Sequence, residues 1–163
     1  MMPPNEIEKA VLDGRLNVGA IPRLRQMSEL EYIPLYTEES RLYCSHHHPL
    51  FAKAEQQDVI TLVPNYDAVA PAYAQTALTK VQYQTLKTTS TATDREGVAF
   101  LIMTGCFIGF LPTHYADQWV QQDKMKALSA DHFRYTTDYA VIHKKNAPTN
   151  YLVDAWIEEL LKI

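Results

Sequence analysis

The chain has 163 residues, 47% hydrophobic and 21% charged, with a formal net charge of −4. This fits one ordinary globular domain or two small lobes, and the acidic surplus argues against unaided binding to a phosphate backbone, which needs clustered Lys and Arg. The two cysteines, Cys44 and Cys106, lack C-x-x-C spacing and suit reduced cytosolic thiols rather than a disulfide framework.

The N-terminus, MMPPNEIEKA, shows no basic segment followed by an apolar run, so no secretory leader is visible. Asn5 and Glu8 have capping-box spacing, Ile7, Ala10 and Val11 share a helical face, and Gly14 is a natural stop. LNVGAI (16–21) follows as a short apolar strand ended by Pro22. LEYIPLY and RLYCS show strand-like residue choice on either side of an acidic turn at Glu38 and Glu39. VITLVP (59–64) suits a buried strand, and Pro71 suits the first turn of a helix reaching about Lys80. YQTLKTT (83–89) alternates like a strand. A second capping box, Thr93 with Glu96, opens an apolar helix that Gly105 stops, and CFIGFLP is the next strand. The uncharged run 98–113 is too short to span a membrane. A short helix is expected from about Thr113 to Gln121, an extended run over 133–143, and a last helix from Thr149 with Leu152, Trp156 and Leu160 on one face. Strands alternating with helices imply βα units and a mostly parallel sheet.

Four stretches in this order resemble the effector-binding domain of LysR-type transcriptional regulators: EIEKAVLDGRLNVGAIP, with Asn17 where the family usually has Asp; LEYIPLYTEESRLYCSHHHPLF, ending in the family's HPL; GVAFLIMTGCFIGFLPTHYA, like its V-x-x-G-x-G-I-x-x-L-P; and YAVIHKKNAPTNYLVDAWIEELL, like its returning strand and last helix. The resemblance implies a two-lobed α/β fold of the periplasmic-binding-protein type (type 2), with the first lobe truncated at its N-terminus. The first regulatory lobe would comprise 1–46 plus 138–163 and the second 47–137. It further implies a non-enzymatic, cofactor-free, bacterial cytoplasmic domain that binds a small-molecule effector between its lobes. It would self-associate as a dimer or higher oligomer and would meet DNA only through a helix-turn-helix absent from these residues. A missing first strand would leave LNVGAI with an open edge and direct self-association to the first lobe.

Open α/β lobes bind ligands at the carboxyl ends of strands, beside helix N-termini whose unpaired N–H groups favour anions. By this family analogy the effector, expected to bear a carboxylate, would meet Asn5 and the hydroxyls of Ser90, Thr91 and Thr93, with Ile21, Pro22, Tyr66 and Asp67 completing the rim. The plainer alternatives are that Thr93 only caps its own helix and that Tyr66 is a surface aromatic.

Two other classes compete. A free-standing periplasmic-type solute-binding protein would share the fold, but no leader is visible. A metal enzyme would use Cys44, His46 and His48, which share parity on an extended segment. Zinc, however, wants three or four converging ligands, usually from separated elements, and His114, His132 and His143 are scattered. The resemblance accounts for His48 without metal, so no metal is expected. No G-x-S-x-G elbow or glycine-rich phosphate loop is present, and Cys106 lies in an apolar run that suits an inert thiol.

Overall fold

The computed structural model describes residues 2–72, 75–147 and 150–162. In chain order the elements are α1 (Pro4–Leu12), β1 (Val18–Pro22), β2 (Leu30–Ser45), α2 (Val59–Leu62), β3 (Asp67–Pro71), α3 (Ala77–Gln84), β4 (Lys87–Ala92), α4 (Arg95–Met103), β5 (Ile108–Pro112), α5 (Thr113–Val120), β6 (Met125–Ala127), β7 (Arg134–Lys144) and α6 (Tyr151–Leu160). The chain forms two compact units, 1–38 with 137–163 and 39–136. The first boundary falls between Glu38 and Glu39 rather than near His46, because Ser40–Tyr43 pair with β5 and Tyr43–Ser45 with β6.

In the first unit, β1 pairs antiparallel with β7, from Val18 opposite His143 to Pro22 opposite Tyr139. Val11, Ile21, Leu30 and Ile142 form its core, with Ile7 and Tyr32 against it. α1 lies so close to β1 that Ile7 Cγ2 fills the space a Cβ on Gly19 would need. The helix starts at Pro4 behind Pro3, which offers no side-chain cap, so Asn5 lies inside the first turn instead of capping it. Proline at the first helical position costs no hydrogen bond, since that N–H has no intrahelical partner. The C-terminus is the one expected: Gly14, at φ +72°, allows Arg15 N–H to reach the Ala10 carbonyl and Gly14 N–H the Val11 carbonyl, a Schellman motif. The buried Glu8 carboxylate accepts from Arg25 Nε and Nη2 at 3.0 and 2.6 Å.

The second unit carries a mixed sheet. β3 runs parallel to β4 and β5, while β2 is antiparallel to β5 and to β6. The expected mostly parallel sheet is therefore only half of it. Strand alternation sends Leu42, Cys44, Ala68, Ile108 and Phe110 to one face, with Val59, Val63 and Leu50. Tyr43, Val69 and Leu111 go to the other, with Val98, Ala99 and Ile102 of α4.

Several elements depart from the linear reading. Glu38 and Glu39 do not turn; β2 is one 16-residue strand in which Glu38 is buried and accepts from Tyr139 Oη at 3.4 Å. Residues 59–62 are helical, not a strand, because Val59 and Val63 bury at helical spacing, which a short apolar run does not reveal. β3 consequently starts at Asp67. Pro71 ends that strand, and α3 begins behind the Thr76 cap. β4 starts at Lys87, since Tyr83 belongs to α3. β6 has no counterpart in the sequence reading. The expected start of the last helix, Thr149, lies outside the described residues; Asn150 caps α6 by accepting from Leu152 and Val153 N–H. Among the described residues no helix is long and apolar enough to cross a membrane.

Candidate functional site

The parallel trio β4–β3–β5 of the second unit ends at one edge, where Ala92, Pro71 and Pro112 stand at the carboxyl ends. Three helices start from this edge. α3 is capped by Thr76 Oγ1, which accepts from Thr79 N–H at 3.1 Å, α4 by Asp94 Oδ1, which accepts from Gly97 N–H at 2.8 Å, and α5 begins directly after Pro112. Ala72 N–H donates to the Ala92 carbonyl at 2.8 Å and fixes the β3 exit against the β4 exit. Arg95 lies over the Tyr115 ring at 5.9 Å, tying the first turns of α4 and α5. Helix N-termini converging on strand ends make an edge suited to an anionic group.

Ser90 and Thr91 sit in the last turn of strand before this edge, opposite Val69 and Ala70, and Thr93 follows the strand. Thr93 is exposed and its Oγ1 donates to Asp94 Oδ2 at 3.3 Å. It is therefore not the cap expected with Glu96. The cap is Asp94, one residue later, where the backbone is still extended at φ −147°. Tyr66 and Asp67 are not brought to this edge. They open β3 at its amino end, because the strand expected before them is helical. Asp67 there bonds Lys87 Nζ at 2.9 Å, and that bond lowers its pKa. The Tyr66 ring packs 5.0 Å from His48 and against the apolar core. Asn5, Ile21 and Pro22 belong to the first unit. Asn5 is exposed, the Ile21 side chain is core, and Pro22 ends β1 half-buried. Thr76 and Asp94, at the edge itself, escaped the sequence reading, and Thr113 was expected only as a helix start; the T-x-x-T of 76–79 and D-x-x-G of 94–97 before apolar helical runs were the available signals.

The Cys44–His48 segment does not build a metal centre. β2 ends at Ser45 and the chain turns, so the alternation that would align Cys44, His46 and His48 stops. Cys44 is fully buried, and burial pushes its thiol up to about 12. His46 and His47 are exposed, with ring centroids 3.8 Å apart. Among the described residues no three His, Cys, Asp or Glu side chains are grouped to hold an ion. His48 is buried and its Nδ1 accepts from Leu50 N–H at 3.1 Å, which requires the neutral Nε2–H tautomer. Burial lowers its pKa below the usual 6.5. The folded state thus favours neutral His48. Its contribution is full above about pH 6.5 and is lost as pH falls from there toward the folded value, because the unfolded chain takes up the proton first. Urea unfolding at pH 7.5 and 5.5 should show His48→Gln less acid-sensitive than the wild type; equal sensitivity would remove His48 from the acid response.

The model of the LysR substrate binding domain matches residues 1–162, and the chain belongs to this family. Domains of this family serve transcriptional regulators, bind small-molecule effectors and are not enzymes; the family is oligomeric. The chain is 42% identical over 158 residues to the HTH-type transcriptional activator BauR of Pseudomonas aeruginosa, covering 97% of this chain and 52% of that protein. It thus spans about half the length of that relative. The fold is shared with the CcmR regulatory domain of Synechocystis PCC6803, solved with 2-PG (TM-score 0.80, 12% identity, 99% of this chain and 79% of that one). It is also shared with the effector-binding domain of QuiR, solved with shikimate (TM-score 0.78, 15% identity, 99% and 78%).

Proposed function

We propose that the chain senses an effector for a cytoplasmic LysR-type transcriptional regulator, and that the effector's carboxylate settles at the carboxyl edge of β3, β4 and β5. The convergence of three helix starts and the Ser90, Thr91 and Thr93 hydroxyls on that edge carries the reading. The effector acts on transcription only through its differential affinity for two arrangements of the regulator; DNA is reached through a helix-turn-helix outside these residues. Titrating the protein calorimetrically with a panel of small carboxylates should give a saturable ligand. The double variant Ser90→Ala, Thr93→Ala should weaken it at least about tenfold, the scale of one or two lost hydrogen bonds to a charged group, with the unfolding transition little changed. A ligand bound equally by both proteins would overturn the placement.

Self-association of the chain belongs to the same proposal, with its centre on α6 more than on the β1 edge. Arg23 N–H bonds the Asp138 carbonyl, so by antiparallel alternation Val18, Ala20 and Pro22 direct their polar groups away from β7. Pro22 has no N–H and its carbonyl accepts from Leu24 N–H, which leaves only Val18 and Ala20 with both groups outward. α6 instead exposes Tyr151, Leu152 and Trp156, the first two at 83%. Sedimentation at tens of micromolar should show an oligomer that Leu152→Asp with Trp156→Asp converts to monomer. A wild-type monomer at that concentration would rule this out.

A further inference from the structure

We propose that the first unit holds a saccharide site at Asn17, Asn146, Tyr151 and Asp154, at the end of β1 opposite to Pro22. These residues line a hollow of about 850 Å³ between the exit of α1, the exit of β7 and the start of α6. That volume lies within the roughly 300–1,000 Å³ of pockets that take organic ligands and has room for a sugar ring.

The walls are fixed by backbone. Arg15 and Leu16 N–H both donate to the Ala10 carbonyl, at 2.8 and 3.0 Å, and hold the chain that leads to Asn17. Val18, the next residue, lies opposite His143 in the β1–β7 ladder, which brings Asn17 beside the exit of β7. There Lys145 N–H donates to the Glu29 carbonyl at 2.9 Å, and Asn146 takes a left-handed backbone at φ +56°, a conformation that asparagine adopts more readily than most residues. On α6, Tyr151 and Asp154 stand three apart and share one side of the helix, while Leu152 and Trp156, four apart, share a different one.

The hollow's lysine is already engaged, since Lys144 Nζ donates to the Leu12 carbonyl at 3.0 Å. What remains is mostly neutral. Among the described residues the Asn17 and Asn146 carboxamides have no side-chain hydrogen bond, and the Asp154 carboxylate has neither a hydrogen bond nor an ion pair. Asn150 caps α6 through Oδ1, which leaves its Nδ2 as a further donor. A carboxamide donates and accepts, whereas a carboxylate only accepts. A sugar hydroxyl does both, so vicinal hydroxyls accept from the carboxamides and donate to Asp154. The apolar C–H face of a pyranose covers the exposed Tyr151 ring. An anionic ligand would meet the Asp154 charge with Lys144 already engaged, so the site selects a neutral one.

NMR titration of amide-labelled protein tests the site with D-glucose, D-sorbitol and D-glucuronate. Glucose should shift the amides of Asn17, Asn146 and Tyr151 saturably. Sorbitol, which has hydroxyls but no ring face, and glucuronate, which is charged, should each bind several-fold more weakly. Asp154→Ala should weaken glucose at least about tenfold, the scale of a lost hydrogen bond to a charged group. Asn146→Gly, which keeps the left-handed backbone, should weaken it several-fold. Both variants should unfold close to the wild type, because both residues are exposed. Ser90→Ala with Thr93→Ala should leave the glucose shifts in place, which separates this site from the second-unit edge. Shifts that do not saturate, sorbitol affinity equal to that of glucose, or glucose affinity unchanged by Asp154→Ala would each overturn the proposal.

Discussion

Replacing Ile102 by alanine is expected to lower the unfolding free energy of the second unit by about 2–5 kcal/mol, the range for truncating a buried aliphatic side chain. Ile102 is fully buried on α4, against Val69, Val98 and Leu111. Its Cδ1 occupies the space over Gly109, 3.1 Å from where a Cβ there would lie. Neither the glycine nor the β5 backbone can collapse into the void, so the cost should fall in the upper half of the range. The two tryptophans make the measurement local: Trp119 packs against the same cluster, whereas Trp156 belongs to the first unit. In a Trp156→Phe background, urea unfolding followed by fluorescence reports the second unit. The control is Phe100→Ala, two residues away on the same helix but 72% exposed, which should change stability by no more than about 0.5 kcal/mol. Equal effects from the two substitutions would mean that α4 does not bury the face described.

Gly105→Ala should cost about 2–5 kcal/mol, well beyond the same change at Gly14. Both glycines have left-handed φ, +79° and +72°, and an L-residue pays about 1–2 kcal/mol for that conformation. They differ in surroundings. A Cβ at Gly14 meets nothing within 4 Å, while one at Gly105 would lie 2.7 Å from His47 Cβ and 3.2 Å from the His47 carbonyl carbon. The clash is with the root of a side chain and with backbone, neither of which can swing aside, so an overpacking cost of roughly 1–3 kcal/mol adds to the torsional one. The difference between the two variants therefore measures how tightly the α4–β5 turn is seated on the His46–His48 turn. A second effect follows: Gly105→Ala should shift the His47 ring signals, and Gly14→Ala should not. Indistinguishable stability losses would show that the two turns are not in contact.

The family and its α/β character were legible in the sequence because they rest on ordered motifs and local chemistry. Gly14 ends α1 in a Schellman motif, Pro112 marks the end of β5, and the apolar 98–103 run lies in a helix that buries Val98, Ala99 and Ile102, all of which follow from propensity and spacing. Long-range facts were not. Nothing local announces that Glu38 is buried within a single strand, that the two valines 59 and 63 bury at helical spacing, or that β5 meets β2 antiparallel and β3 parallel. Those outcomes depend on which face of a segment another segment covers, and a two-residue or 3.6-residue period cannot name the partner. The candidate site divides along the same line. Ser90, Thr91 and Thr93 reach the carboxyl edge because β4, Lys87–Ala92, overlaps the strand that alternation suggested at 83–89 and runs on past it. Tyr66 and Asp67 do not, because one misassigned strand before them reverses which end of β3 they occupy.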